Sequence, residues 1–286
     1  MNSDDSKRRC VLALQVADFD FVRKLVYDAS AIVVEPGKEY LVETRLIPLT
    51  RQEGFSSITD LVASLRTPAA NGLRARVVEA MTTNETSFFR DLHPFSALRT
   101  RVMPELLRQR SNERTLDIWC AACSSGQEPY TVAMLLHEDF AAALSQWRVR
   151  IIASDLSDHI LERARKGSYS QLEVNRGLPA PFLVKYLEKD GVHWVIKPEI
   201  RRMVEFRKIN LAAPWPALPQ MDVILIRNVL IYFDAQTKKT IFAKARGLLR
   251  AGGYLFLGTA ETTINLDDRY ERVPIDTATC YRVRAS

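Results

Sequence analysis

Two acids and a run of small residues carry the chemistry this sequence offers. The stretch Thr115–Met134, TLDIWCAACSSGQEPYTVAM, opens on the apolar Leu116, Ile118, Trp119 and Cys120. It then passes through Ala121, Ala122, Cys123, Ser124, Ser125 and Gly126 to Glu128 and Pro129. Small side chains let a backbone approach a ligand closely, and a helix N-terminus offers free N–H groups. Pro is tolerated in a first helical turn, so the pattern predicts strand, loop and helix in succession. Arg148–Asp155, RVRIIASD, predicts a second strand that ends in an acid. Glu128 and Asp155 therefore fall at carboxyl ends of strands, where open α/β sheets bind ligands.

Carboxylates at that place suit ribose hydroxyls, amino donors or a cation, and they oppose a phosphate. The motifs of phosphate-bearing ligands are missing as well. Gly126 is the loop's one glycine, short of the Gly-x-Gly-x-x-Gly of dinucleotide sites, and no Gly-Lys-Ser/Thr occurs. The histidines, 93, 137, 159 and 193, are scattered, and no His-Glu-x-x-His is present. Cys120-x-x-Cys123 has metal spacing but no second pair, so these residues are read as packing at a strand-to-loop junction. The ligand left by this elimination is adenosine-like and cationic, and S-adenosylmethionine fits it.

The elements that position these acids alternate. Met203–Leu211, Met221–Asn228 and Tyr254–Gly258 read as further strands, the second apolar enough to be buried on both faces. Asp234 is placed to cap a helix running to about Leu249. Tyr270–Val273 and Thr279–Val283 read as a terminal antiparallel pair. Alternation of this kind predicts an open α/β sheet. Between Gly167 and Arg202 the alternation breaks. Asp190-Gly191 lies there between apolar runs, a hairpin signal, and a small β insertion is expected between the second and third strands.

Upstream of residue 80 the spacing is helical, with Phe21, Leu25 and Val26, then Ile58, Leu61, Val62 and Leu65. Glu35-Pro36-Gly37 and Thr67-Pro68 with Asn71-Gly72 mark breaks. The expected division is a helical domain over 1–80 and an α/β domain over 81–286, with the β-subdomain at about 167–202. Between the two, TTNETSFFR (82–90) reads as a capped helix start. The alternative is that one of Phe88 and Phe89 packs while the other walls a pocket near Arg90.

Composition narrows the class. The chain has 286 residues, 47% hydrophobic and 26% charged, as ordinary soluble proteins do. Its cysteines, 10, 120, 123 and 280, are too few and irregular for a disulfide framework, which fits a reducing cytoplasm. Lys7-Arg8-Arg9 before the apolar Val11–Ala17 looks faintly like a leader, but Gln15 interrupts the run and no small-x-small site follows. No apolar run nears the ~20 residues of a membrane span, so a soluble protein is expected. Residues 1–80 carry equal numbers of basic and acidic side chains, so the net charge of +6 lies in 81–286. That excess admits nucleic acid as a partner, yet no run of interleaved arginines and aromatics makes a platform for it.

The stretches TTNETSFFR (82–90), IWCAACSSGQEPYTVAM (118–134), ASDLS (153–157), EFRKINL (205–211) and DVILIRNVLIYFD (222–234) resemble, in order, the motifs of the CheR family. These are S-adenosylmethionine-dependent methyltransferases acting on glutamates of methyl-accepting chemotaxis receptors. The resemblance covers nearly the whole chain. It implies a helical N-terminal domain, a Rossmann-like methyltransferase sheet and an inserted β-subdomain. It also implies cofactor contacts at Asn84, Thr86, Arg90, Glu128, Asp155, Asn210, Leu211, Arg227 and Asn228, with Arg90 and Tyr232 beside the transferred methyl. Gln127 stands where the family commonly has an acid. The implied partner is the cytoplasmic helical bundle of the receptors. Some family members also bind a receptor C-terminal pentapeptide through a longer, glycine-containing hairpin loop. The short turn Lys189-Asp190-Gly191 leads to the expectation that this chain docks without one.

Two other readings fit the sequence less well. Amino-group methylases of nucleic acids carry Asn/Asp-Pro-Pro-aromatic after the fourth strand, where this chain has Arg227-Asn228-Val229-Leu230. A non-catalytic adaptor sensing S-adenosylmethionine is opposed by the complete set of motif positions.

Overall fold

The computed structural model describes residues 14–275 and 277–284. Lys7-Arg8-Arg9, Cys10 and the start of the apolar run at Val11 lie outside the described residues. The chain divides into two compact units, Met1–Thr83 and Asn84–Ser286.

The first unit is helical: α1 (Val16–Ser30), α2 (Glu39–Gln52), α3 (Ile58–Leu65) and α4 (Asn71–Ala80). Its core gathers Phe19, Val22 and Val26 of α1 with Leu46, Leu61, Leu65 and Val77. Phe21 and Leu25, expected inside, only flank it, because the buried stripe of α1 is one position out of step with them. Ser57 caps α3 by accepting the Asp60 N–H at 3.1 Å. Asn71-Gly72, expected as a break, instead forms the first turn of α4, and the break falls at 66–70.

The second unit begins with an irregular segment, 84–92, and continues through α5 (His93–Ala97), a π-helical turn (Leu98–Val102) and α6 (Met103–Gln109). The expected helix start at 82–90 does not form. Phe89, Asp91 and Leu92 all have positive φ, at 48°, 67° and 42°, which no helix accommodates. After it come β1 (Thr115–Ala121), α7 (Gln127–Leu144), β2 (Arg148–Asp155) and α8 (Asp158–Lys166). The insertion contributes β3 (Ser168–Ser170), α9 (Gln171–Asn175), α10 (Ala180–Tyr186), β4 (Leu187–Asp190), β5 (His193–Ile196) and α11 (Pro198–Arg201). The chain then returns through β6 (Val204–Lys208), β7 (Met221–Ile226), a 3₁₀ turn (Leu230–Tyr232), α12 (Ala235–Leu248), β8 (Leu249–Leu257), β9 (Tyr270–Arg272) and β10 (Cys280–Val283).

The main sheet has seven strands in the order β6-β2-β1-β7-β8-β10-β9. The first five run parallel, and β10 and β9 pair antiparallel at one edge. The insertion forms its own antiparallel sheet, β3-β5-β4. The expected α/β sheet, terminal antiparallel pair and inserted β unit are all present. Every residue of β7 is buried, as a central parallel strand covered on both faces requires.

Register sets up the site. Ala121 lies opposite Ser154 on β2 and Ile226 on β7, while Asp155 lies opposite Lys208 on β6. Ile226 in turn lies opposite Leu257 on β8. These strands end level, so the loops that follow them share one edge. Neighbours on the two sides of β1 open the crevice where such sheets bind ligands.

Candidate active site

The loop after β1 is bent by positive φ at Ala122 (55°), Ser124 (50°) and Gly126 (94°). Non-glycine residues hold that conformation only when their surroundings enforce it. Here the Cys123 N–H donates to the Ser154 carbonyl at 2.8 Å, and the Ser124 N–H donates to Asp155 Oδ2 at 2.9 Å. The Tyr169 hydroxyl, from β3, donates to the Ser125 carbonyl at 2.8 Å. Gly126 could bear no side chain: an added Cβ would lie 3.1 Å from Ala164 Cβ, besides sitting at φ +94°. Asp155 Oδ1 accepts the Ser157 N–H at 3.2 Å. Thus Asp155, read from the sequence as a ligand contact, also ties the loop to β2.

Glu128 stands in the first turn of α7, half-buried with its side chain 12% exposed, and one of its oxygens is held. Arg227, immediately beyond β7, donates from Nη1 to Glu128 Oε2 at 2.6 Å. Its Nη2 donates to Asp91 Oδ2 and to the Arg90 carbonyl, both at 2.8 Å. The Arg227 side chain is 1% exposed and lies over the Phe95 ring. Burial pushes the Glu128 carboxyl above the usual glutamate value, the Arg227 charge pulls it back, and nearby Glu261 pushes it up again. The net direction is up. Its Oε1 has no hydrogen-bond partner among the described residues.

Segment 84–92 lies against the loop. Ser124 Oγ donates to the Asn84 carbonyl at 2.8 Å, and the Phe89 N–H donates to Thr131 Oγ1 at 3.2 Å. Phe88 is fully buried edge-on to Tyr169, with ring centres 5.0 Å apart, and half-buried Phe89 packs on Phe95 and Phe182. Both rings pack, on different partners. The insertion thus braces the segment, and Arg176 pairs with Glu85, holding its carboxyl below the usual range. Half-buried Arg90 donates from Nη1 to the Glu85 carbonyl at 2.9 Å, which engages one end of its guanidinium.

On the far side of β1, Asn210 follows β6, where the Ile209 N–H donates to the Asp155 carbonyl at 3.0 Å. Asn210 Oδ1 accepts the Ala212 N–H at 3.0 Å. Buried Leu211 gives its carbonyl to Trp215 Nε1 and Lys244 Nζ. Asn228 has φ 58° and leads into the 3₁₀ turn that ends at Tyr232, which is half-buried and whose hydroxyl has no partner among the described residues. Thr86 is half-buried in the 84–92 segment.

Loops after β1, β2, β6 and β7 therefore supply Glu128, Asp155, Asn210-Leu211 and Arg227-Asn228-Tyr232, and segment 84–92 supplies Asn84, Thr86 and Arg90. Cys120 and Cys123 are buried, form no disulfide and are pushed well above the usual thiol range by burial, and the Cys123 thiol donates to the Ser124 carbonyl at 3.6 Å. No cluster able to hold a metal occurs among the described residues. Two residues escaped the sequence reading. Asp91 shares the Arg227 guanidinium with Glu128. Glu261, 6% exposed, accepts backbone N–H groups from Asn228, Val229, Leu230 and Gly258. The signal for Glu261 was available, since it follows the carboxyl end of β8 as Asp155 ends β2.

A sheet that presents acids where phosphate-binding enzymes present glycines is that of an S-adenosylmethionine-dependent methyltransferase, and the donor set fits that cationic cofactor. The comparisons agree. The S-adenosylmethionine-binding domain of CheR methyltransferases matches residues 84–279, and their all-alpha domain matches 17–82. The chain belongs to the CheR methyltransferase family. It is 43% identical over 271 residues to chemotaxis protein methyltransferase 1 of Pseudomonas aeruginosa, covering 94% of this chain and 98% of that one. Chemotaxis protein methyltransferase Cher2 of Pseudomonas putida is 41% identical over 270 residues, 93% and 98% of the two chains. Chemotaxis protein methyltransferase 1 of Vibrio cholerae is 37% identical over 272 residues, 93% and 96%.

Proposed function

We propose that this enzyme transfers the methyl group of S-adenosylmethionine to glutamate side chains on the cytoplasmic helical bundle of chemotaxis receptors, giving methyl esters that tune signalling. On this reading it works in the cytoplasm, where that bundle lies. In this reading the division near residue 80 separates a helical domain from the one that binds cofactor. The β-subdomain, about 167–202, serves the receptor without a C-terminal pentapeptide. The β4–β5 turn that supports the last point is short, only Gly191-Val192 between the paired Asp190 and His193.

The observation that carries the proposal is the carboxylate Glu128, half-buried at the sheet's carboxyl edge, with one oxygen fixed by Arg227 and the other without a partner among the described residues. When bound, the cofactor supplies an electrophilic methyl on a sulfonium. Glu128 and Asp155 receive its donors and its positive charge, with Asn84, Thr86, Asn210, Leu211 and Asn228 completing the contacts. Arg227 acts mainly by holding Glu128. A substrate glutamate has an ordinary pKa of about 4.3 and is already a nucleophile at neutral pH. No general base is needed, so the lack of a histidine at the site is consistent with the chemistry. Two opposite charges disappear as the ester forms, so a site that aligns the carboxylate and excludes water supplies the rate. Arg90, with one end of its guanidinium on Glu85, turns the rest to the incoming carboxylate, and the Tyr232 hydroxyl orients it.

Methyl transfer from labelled cofactor to receptor membranes tests this. Incorporation lost when candidate receptor glutamates become alanine is the expected result, whereas incorporation into RNA instead would overturn it. Arg90→Lys should lower turnover, because a single ammonium cannot serve Glu85 and the substrate together.

A further inference from the structure

Glu261 lies just beyond β8, and its two oxygens divide the work evenly. Oε1 accepts the N–H groups of Val229 at 2.9 Å and Leu230 at 2.7 Å. Oε2 accepts those of Asn228 at 2.9 Å and Gly258 at 2.7 Å. Three of these donors are consecutive and lead into the 3₁₀ turn that presents Tyr232. Short helical turns leave their first N–H groups without internal partners, and an ionised carboxylate is a strong acceptor for them. The same contact holds Asn228 in its left-handed conformation, φ 58°. Gly258 makes room for it: a Cβ there would lie 2.7 Å from Glu261 Oε2 and 2.8 Å from the Asn228 nitrogen. Nothing but a hydrogen fits between the end of β8 and the turn after β7.

From this geometry we infer that Glu261 is a positioning residue for methyl transfer, fixing the turn that carries Asn228 and Tyr232 while touching neither cofactor nor substrate. The inference rests on the function proposed above, which sets Tyr232 beside the transferred methyl. Its physical content is that only a carboxylate can accept on both sides. In Glu261→Gln the amide nitrogen faces two N–H donors, so one donor pair loses its acceptor and the turn shifts. Displacement of an orienting group by about 1 Å costs on the order of a hundredfold in rate.

The test is a double-mutant cycle on turnover with receptor at saturating cofactor, using Glu261→Gln, Tyr232→Phe and both together. Glu261→Gln alone should lower kcat by roughly tenfold or more, and by less than about threefold in the Tyr232→Phe background, since residues acting through one another are non-additive. A merely structural role would give equal losses in both backgrounds, and that result, or an unchanged kcat, overturns the inference. Gly258→Ala presses on the same contact from the backbone and should repeat the pattern. If Glu261→Gln does not fold, unaltered turnover of Gly258→Ala overturns the inference alone. A wild-type enzyme inactive on receptor glutamates would instead contradict the proposed function, so the two failures are distinguishable.

Discussion

The two ends of the parallel sheet each bury acids and arginines, and they use them in opposite ways. At the amino end both oxygens of each buried acid are claimed by arginines. Asp117 on β1 accepts from Arg150 at 2.6 Å and Arg250 at 2.9 Å. Asp222 on β7 accepts from Arg110 at 2.8 Å and Arg250 at 3.0 Å, and also takes the Asp117 N–H at 2.9 Å. At the carboxyl end the acids hold backbone instead: Asp155 holds the loop after β1 and Glu261 the turn after β7. One arginine, Arg227, is shared by Glu128 and Asp91. The amino end is a closed network, whereas the carboxyl end spends its charges on fixing strained loops and leaves Glu128 Oε1 and the Tyr232 hydroxyl without partners among the described residues. Saturated charge holds a sheet together, and unsaturated charge in a fixed place binds something.

The comparison can be broken first at the closed end. Asp222→Ala would leave Arg110 without its buried carboxylate and Arg250 with Asp117 alone, and breaking such a pair costs about 3–5 kcal/mol. Urea denaturation should show this loss, while the KM for S-adenosylmethionine of the folded enzyme stays at the wild-type value. A changed KM would mean the two ends are not independent.

Arg227→Met acts at the other end and should cost less stability, about 1–3 kcal/mol. Glu128 can take up a proton when its cation is removed, and Asp91, 32% exposed, can turn to water. Cofactor affinity should fall together with stability, as it should not for Asp222→Ala. The pair of variants thus separates a charge that holds the fold from one that holds a ligand group.

Much of this was legible in the sequence, and what was not has identifiable causes. The alternation of strands and helices gave the sheet, and the apolar run of β7 gave its centre. Glu128 and Asp155 were singled out by one rule, acids at or beyond the carboxyl ends of strands. The 82–90 segment misled because Thr, Asn and Glu are capping residues by local preference, while its conformation is set by distant partners: Phe88 on Tyr169, Phe89 on Phe182, and Ser124 on the Asn84 carbonyl. Arg227 was expected as a cofactor contact from the family resemblance, and its neighbours in sequence do not reveal that Glu128 and Asp91 share its guanidinium. Glu261 was passed over because its partners, apart from Gly258, lie more than thirty residues upstream.

The smallest expected effect is one of pH. Because the folded-state value of Glu128 is raised, its ionisation is costlier in the folded protein than in the unfolded chain. Its contribution to stability is therefore full below the ordinary glutamate range and lost as pH rises through the raised value. A bound cation favours the ionised form, so stabilisation by S-adenosylmethionine should grow over that same rise. Melting temperatures with and without cofactor across mildly acidic to neutral pH check the sign.

Calorimetric titration of S-adenosylmethionine into wild-type enzyme, Glu128→Gln and Asp222→Asn tests the contrast most directly. Glu128→Gln should weaken binding by roughly tenfold to a hundredfold, the worth of a hydrogen bond to a charged group, with Asp222→Asn unchanged. Equal affinity in wild type and Glu128→Gln would contradict the claim that an acid at the carboxyl end of the sheet holds the cofactor.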